Sequence, residues 1–315
     1  MEFEKSIKDL EKKIDELRKI EREGKVDMGA EISALARKVE ELKTQTYSDL
    51  TPWQVVQLMR HPERPHALDY VDKLFTDFYE VHGDRTMADD KAIVSGFGML
   101  DGEPMGVLGT QKGRDTKENL LRNFGMAQPD GYRKAMRFMR LCEKFKLPIL
   151  TFIDTAGAYP GIEGEERSVA EAIARNLFEM SRLSVPIVVA VIGEGGSGGA
   201  LGIGVGDRVL MLENAYYSVI SPEGCAAILW RDRGKAEQAA AALKGTAKEL
   251  LDLKVIDEIV KEPLGGAHKD VDLAAANLKE AVKRNLGELR KLALPALLDG
   301  RYKKFRAMGV WEEVA

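Results

Sequence analysis

The stretch from Pro186 to Asp207, PIVVAVIGEGGSGGALGIGVGD, limits what this chain can fold into more than any other. Val188, Val189, Val191 and Ile192 form an apolar, largely β-branched run, the mark of a strand buried on both faces. The run empties into Gly193, Gly195, Gly196, Gly198 and Gly199, with only Glu194 and Ser197 between them. Backbone without a Cβ turns sharply and lets a ligand approach closely. Ala200, Leu201 and Ile203 then open a helix, and free N–H groups at such an opening bind an anion or an oxygen that becomes one. The stretch reads as an oxyanion or phosphate site made of backbone amides.

Other mechanisms compete for the same residues. Gly193, Gly195 and Gly198 satisfy the dinucleotide spacing G-x-G-x-x-G, but the helix has room for only about seven residues before Gly204, Gly206 and Asp207 stop it. Gly195 to Gly199 also satisfies G-x-S-x-G, the nucleophile elbow of a serine hydrolase, with Ser197 as attacker. Its base would have to be His268, the only histidine downstream. A tight turn alone does not call for so many glycines.

At 315 residues and 44% apolar, the chain can build one large α/β domain or two ordinary ones. A net charge of −4 without a long basic tract gives nucleic-acid binding no general electrostatic support. Cys142 and Cys225 lie far apart in apolar helical patterns, which suits small core residues better than a disulfide or metal pair. No apolar run reaches membrane-spanning length, and the charged start MEFEKSIKDLEKK is unlike a signal peptide. A cytoplasmic protein is expected.

Phe3, Ile7, Leu10, Ile14 and Leu17, then Ile32, Leu35, Val39 and Leu42, recur at helical spacing on either side of Gly24. They predict an antiparallel helical hairpin, a packing or docking arm over residues 1–50. Thr51 caps a short helix with Pro52 at its first position, and an extended connector follows with His61 and His66 as surface or packing residues rather than a metal site. A helix is expected from Leu68 to Phe78. Two apolar runs around Asp101-Gly102 predict a β-hairpin. The next segment carries Lys112, Arg114, Lys117 and Arg122, and reads either as a mobile loop meeting an anionic group or as a plain solvated loop.

The helix from Gly131 to Lys146 puts its apolar stripe on a sheet, with Lys134, Arg137 and Arg140 on the other face. A buried strand, Pro148 to Asp154, ends in Thr155-Ala156-Gly157-Ala158-Tyr159-Pro160-Gly161, and a long helix leads to the central strand. Two such units in parallel set their loops side by side at the carboxyl ends of the strands. Further strand pairs precede helices downstream, and a last helix is expected from Val271 to about Leu294. This recurrence favours an α/β fold built as a crotonase-like (ClpP/crotonase) spiral of ββα units. It would span residues 51–295, with a C-terminal tail at 296–315.

Three stretches carry a family resemblance. They begin ADDKAIVSGFGMLDGEPMGVLGTQKGRD, FIDTAGAYPGIEGEERSVAEAIARN and YYSVISPEGCAAILWRD, and the second runs on through the glycine loop. Together they resemble the carboxyltransferase alpha subunits of bacterial acetyl-coenzyme A carboxylase; Ala156 stands where that family often has proline. The resemblance implies a crotonase-like enzyme that moves a carboxyl group from carboxybiotin, carried on a biotin carboxyl carrier protein, to acetyl-coenzyme A. The product would be malonyl-coenzyme A, at the first committed step of fatty acid synthesis. It also implies an α2β2 heterotetramer with a zinc-containing beta subunit, working beside biotin carboxylase, and no metal in this subunit. On this resemblance the main oxyanion donors are Gly198 and Gly199, with Gly157 and Ala158 lining the same pocket. Gly195 and Gly196 would let the ligand approach, and Tyr159 and Pro160 would wall it or only shape the turn. The alternatives are the Ser197 hydrolase and a non-catalytic docking scaffold.

Overall fold

The computed structural model describes residues 1–22, 24 and 27–309. The N-terminal arm is the expected hairpin of α1 (Lys5–Arg22) and α2 (Gly29–Ser48). Its helices run antiparallel, since the Tyr47 hydroxyl donates to Glu4 at 2.6 Å and Lys43 pairs with Glu11 at 2.9 Å. Ile7, Ile14 and Val39 form a small core of their own, separate from the main one. Next comes α3 (Pro52–Met59), where Thr51 and Gln54 cap each other reciprocally, and then α4 (Ala67–Leu74).

The expected helix over Leu68 to Phe78 stops early. Phe75 turns extended, and Thr76–Glu80 form an edge strand, β1, antiparallel to β2 (Ile93–Leu100). Packing against β2 decides this. A Cβ at Gly96 would lie 2.7 Å from the Phe78 ring and one at Gly98 3.1 Å from Phe75, so these glycines make the seats for the two aromatics. The hairpin at Asp101-Gly102 forms as expected, with both residues at positive φ, and leads into β3 (Glu103–Thr110).

The basic segment after β3 is a folded connection. Asp115 caps α5 (Thr116–Leu121), accepting the Glu118 N–H at 2.8 Å. Lys112 is an ion-pair partner of Asp154 and Glu194, Arg114 of Asp69, and Arg122 of Glu118. Three of its four cations are thus engaged inside the chain. Helix α6 (Pro129–Lys144) lies on the sheet, but Lys134 is not on its wet face. That ammonium is buried, donating to Asp89 at 2.7 Å and to the Asp90 carbonyl at 2.6 Å, and Arg133 takes the outward position.

Strand β4 (Ile149–Thr155), α7 (Ile162–Glu166), α8 (Val169–Met180) and β5 (Ile187–Gly196) follow. The short glycine-rich α9 (Ser197–Leu201) leads to β6 (Arg208–Leu212), β7 (Tyr216–Ser218) and α10 (Pro222–Trp230). Strand order is β1-β2-β3-β4-β5-β6-β8, where β8 is Glu258–Val260, antiparallel at the β1 end and parallel from β3 onward. On the edge away from β4, strand β5 serves two neighbours: its first half pairs with β6 and its last three residues with β7. One long strand shared in this way gives the turn of a spiral rather than a flat doubly wound sheet.

Helices α11 (Ala236–Leu243) and α12 (Ala247–Asp252) precede β8, and α13 (Val271–Leu289) follows it. The helix expected to reach Leu294 ends at Leu289, and α14 (Leu294–Arg306) starts anew. Pro295 disfavours helical backbone in the residue before it but suits a first turn. Residues expected as a tail therefore contain a helix, and those at 310–315 lie outside the described residues. Arg301 of α14 is buried, gripping Asp207 at 2.8 and 2.9 Å and the carbonyls of Met180, Leu183 and Val185. Asp207 in turn accepts the Ile187 N–H at 2.7 Å, so α14 fixes the start of β5. Cys142 and Cys225 are free, buried thiols.

Candidate active site

Strands β4 and β5 are parallel and in register from Ile149 opposite Ile187 to Ile153 opposite Val191; the register then shifts, Thr155 falls opposite Gly195, and the following loops emerge side by side. Contact between the loops is made by missing side chains. A Cβ at Gly199 would fall 2.2 Å from the Gly157 carbonyl carbon, and one at Gly196 would fall 2.1 Å from the Ala156 carbonyl oxygen. Gly195 is closed in the same way by the Tyr217 ring at 2.7 Å. Gly198 differs. The nearest atom to its virtual Cβ is Ile173 Cδ1, at an ordinary 3.7 Å. Packing explains three of these glycines and leaves space beside the fourth.

Ser197 begins α9 with φ of +55°, a left-handed conformation that costs a non-glycine residue roughly 1 kcal/mol, and it is exposed. Gly198 and Gly199 follow in the first turn, whose N–H groups have no intrahelical acceptor. The Gly157 N–H is already committed, donating to Thr155 Oγ1 at 3.2 Å, while that hydroxyl donates back to the Gly157 carbonyl at 2.7 Å. Gly157 therefore shapes its own turn, and Ala158 abuts Gly199 with its nitrogen. The Tyr159 ring turns away onto Gly161 and its N–H donates to Ala127 at 2.9 Å; Pro160 is exposed.

Beneath the loops lies a charge network absent from the sequence expectations. The buried Asp154, at the end of β4, accepts from His66 Nδ1 at 3.0 Å, Lys112 Nζ at 2.7 Å and the Glu194 N–H at 3.0 Å. Burial alone would raise its carboxyl, but the Lys112 and His66 charges and hydrogen bonds outweigh that and hold it well below the usual carboxylate range. Burial would likewise lower the Lys112 ammonium, and the carboxylates of Asp154 and Glu194 more than reverse it. Glu194 also meets Arg60 at 3.3 Å, and Arg60 meets Glu223 of α10 at 2.5 Å. A second buried pair, Arg64 and Glu262 at 2.6 Å, holds the Ile192 carbonyl of β5 through Arg64 Nε at 3.0 Å. The one sequence cue was positional: acids at the carboxyl ends of adjacent parallel strands sit where open sheets place their sites.

The hydrolase arrangement is not assembled. His268 stacks on His61 with ring centroids 3.8 Å apart, and both its nitrogens are buried without a hydrogen-bond partner. His66 is bonded to Asp154, and no hydrogen bond reaches the Ser197 hydroxyl among the described residues.

The chain as a whole has known relatives. A family profile described as acetyl co-enzyme A carboxylase carboxyltransferase-like matches residues 1–309. The chain belongs to that family. It is 58% identical over 313 residues to the acetyl-coenzyme A carboxylase carboxyl transferase subunit alpha of Geobacter metallireducens, covering 99% of this chain and 98% of that protein. The subunit of the same name from Thermus thermophilus is 57% identical over 313 residues, 99% of each. Among solved structures, a Pseudomonas malonate decarboxylase hetero-tetramer with coenzyme A superposes with a TM-score of 0.59 at 16% identity, over 75% of this chain and 91% of that one. A transcarboxylase 12S core with methylmalonyl-coenzyme A gives 0.55 at 18%, over 72% of this chain and 44% of that one. These likenesses show the crotonase-like α/β fold, and the chain is a carboxyltransferase subunit of acetyl-coenzyme A carboxylase.

Proposed function

We propose that the Gly198 and Gly199 amides hold the urea oxygen of carboxybiotin while its carboxyl group passes to acetyl-coenzyme A, giving malonyl-coenzyme A. Gly198, where a Cβ would meet only an ordinary contact with Ile173 at 3.7 Å and which is flanked by glycines that packing requires, carries this reading. A cradle that a Cβ would fill fits a planar urea approaching backbone donors. Carboxybiotin supplies the carboxyl group, and breaking its N–CO2 bond leaves negative charge on the ureido unit, basic enough to take the acetyl α-proton. The enolate then forms the new carbon–carbon bond. This chain's part is to stabilise the charge on the urea oxygen, and losing one such donor typically costs about 3 to 4 kcal/mol.

Asp154 ties the two loops together from below, because one carboxylate bonds both the Lys112 side chain and the Glu194 amide. No side-chain nucleophile is needed, consistent with the unpartnered Ser197. Carboxyl transfer develops charge at a second oxygen, on the thioester, and Gly157 is spent internally. A beta subunit would therefore bring the enolate site, within an α2β2 assembly in the cytoplasm that is supplied by a biotin carboxyl carrier protein and biotin carboxylase. No helix among the described residues is long and apolar enough to cross a membrane.

The test is native mass and malonyl-coenzyme A formation, measured on the purified chain alone and then with the beta subunit of the same cell. Joint activity with a heterotetramer mass supports the reading. Full activity from the chain alone overturns it.

A further inference from the structure

Helices α6 and α8 leave a groove of about 520 Å³ between them, within the roughly 300–1,000 Å³ of small-molecule sites. Arg133, Arg137, Arg140 and Lys144 line it at helical spacing along α6, and Arg175 faces them from α8. Glu179, outside the lining, pairs with Arg140 at 2.5 Å and stands 3.9 Å from Arg175, and the acids that line the groove do not balance its five cations. Asp84 spends one carboxylate oxygen on the N–H groups of Thr86, Met87 and Ala88 and the other on the Thr86 hydroxyl. Glu171 stands 4.0 Å from Arg133 and 3.9 Å from Arg175, in loose contact with each.

Arg137 is the least compensated. Its guanidinium donates only to the carbonyls of Gly83 and His82, both at 3.0 Å, and Arg85 donates to the same His82 carbonyl at 2.8 Å. Among the described residues neither Arg137 nor Lys144 has a carboxylate within ion-pair distance. Burial first, then the like charge of Arg85, lower the Arg137 guanidinium from its ordinary value despite the Asp84 and Asp89 carboxylates, a cost that an anion placed there would relieve. On a chain whose overall charge is −4, this concentration of cations runs against the whole. The groove is not merely ionic: Met136 and Leu141 line it too. Planar guanidiniums in a row suit phosphate oxygens better than single carboxylates, because each can bond two oxygens at once.

We propose that this groove binds a phosphorylated small molecule of nucleotide size, its phosphates on Arg137, Arg140 and Arg175 and its body on Met136 and Leu141. Such chemistry has two sources, a free nucleotide or the nucleotide end of coenzyme A.

Calorimetric titration of the full-length chain with ADP, and separately with coenzyme A, tests it. Arg137→Gln/Arg175→Gln should weaken binding at least tenfold with an unchanged melting temperature, while Arg182→Gln, outside the groove, should change nothing. Raising salt from 0.05 to 0.2 M should weaken binding severalfold. Binding of ADP alone identifies a free nucleotide, and binding of coenzyme A with the same sensitivity identifies the substrate's nucleotide end. Should the double variant fail to fold, Arg140→Gln on the exposed rim should still cost at least threefold. No binding of either ligand at millimolar concentration, or binding indifferent to these substitutions, overturns the proposal.

Discussion

Gly199 and Gly157 approach so closely that a Cβ on the first would sit 2.2 Å from the carbonyl carbon of the second. Gly198, one residue earlier, has nothing within 3.7 Å of the same position. The two glycines should therefore answer differently to substitution. Gly199→Ala must push the loops apart and should lower the melting temperature by several degrees. Gly198→Val should keep its fold yet lose at least roughly 100-fold in carboxyl transfer, since its side chain fills the seat of the anion. Calorimetric melts beside malonyl-coenzyme A assays check the contrast, and a folded, fully active Gly198→Val protein would sink the donor assignment.

Ser197 holds a positive φ of +55°, with no partner for its hydroxyl among the described residues. Ser197→Gly should relieve roughly 1 kcal/mol of conformational cost, largely offset by about 0.4 to 1 kcal/mol of added unfolded-chain entropy. Stability should therefore stay within about 1 kcal/mol of the parent, and transfer within a few-fold of it. A loss as deep as that of Gly198→Val would mean that the hydroxyl takes part in the chemistry after all.

The buried Asp154 carboxylate faces Lys112 and His66. Its folded-state value lies below the unfolded one, so its contribution to stability is complete above about pH 4 and is lost as pH falls further. Glu262, held down against its own burial by Arg64, behaves in the same direction. Asp154→Asn should cost roughly 3 to 5 kcal/mol near neutral pH by leaving Lys112 with half its compensation. It should also make the acid limb of urea unfolding shallower. A variant as stable as the parent at pH 7 would show the pair to be dispensable.

The N-terminal arm has its own small core of Ile7, Ile14 and Val39. Removing residues 1–50 should leave the circular dichroism of the main domain intact while lowering the mass of the assembled complex at micromolar concentration. An unchanged mass in analytical ultracentrifugation would show that the arm plays no part in assembly.

Much of this was legible from local pattern. The run from Ile187 to Gly196 announces a buried strand, Asp101-Gly102 a hairpin, and Thr51-Pro52 a helix start, because each depends on residues adjacent in the chain. What was not legible depends on partners far away in sequence. Thr76 to Glu80 became strand because Gly96 and Gly98 open seats for Phe78 and Phe75. Lys112 read as part of either a mobile anion-meeting loop or a solvated one until Asp154 and Glu194, 42 and 82 residues later, closed around it. Likewise the distinction between Gly198 and Gly199 is invisible to composition, since it rests on which neighbour occupies the space beside each Cα.

His268 stacked on His61 makes one further behaviour accessible to measurement. Burial first, then the positive charges of His61 and Lys269, push the His268 imidazole down to about 4. His61 is lowered as well, again chiefly by burial. For a base with a depressed folded value the unfolded chain binds the extra proton, so stability rises with pH through the interval between the two values. The window runs from about 4 up to the ordinary histidine value near 6.5, above which His268 contributes no pH dependence. His268 is only partly buried as a residue, so the slope should be modest. His268→Phe keeps a ring to stack on His61 and removes the titration. Urea midpoints at pH 5 and pH 7 should then differ less for the variant than for the parent, and an equal difference in both would show that the pair carries none of the acid sensitivity.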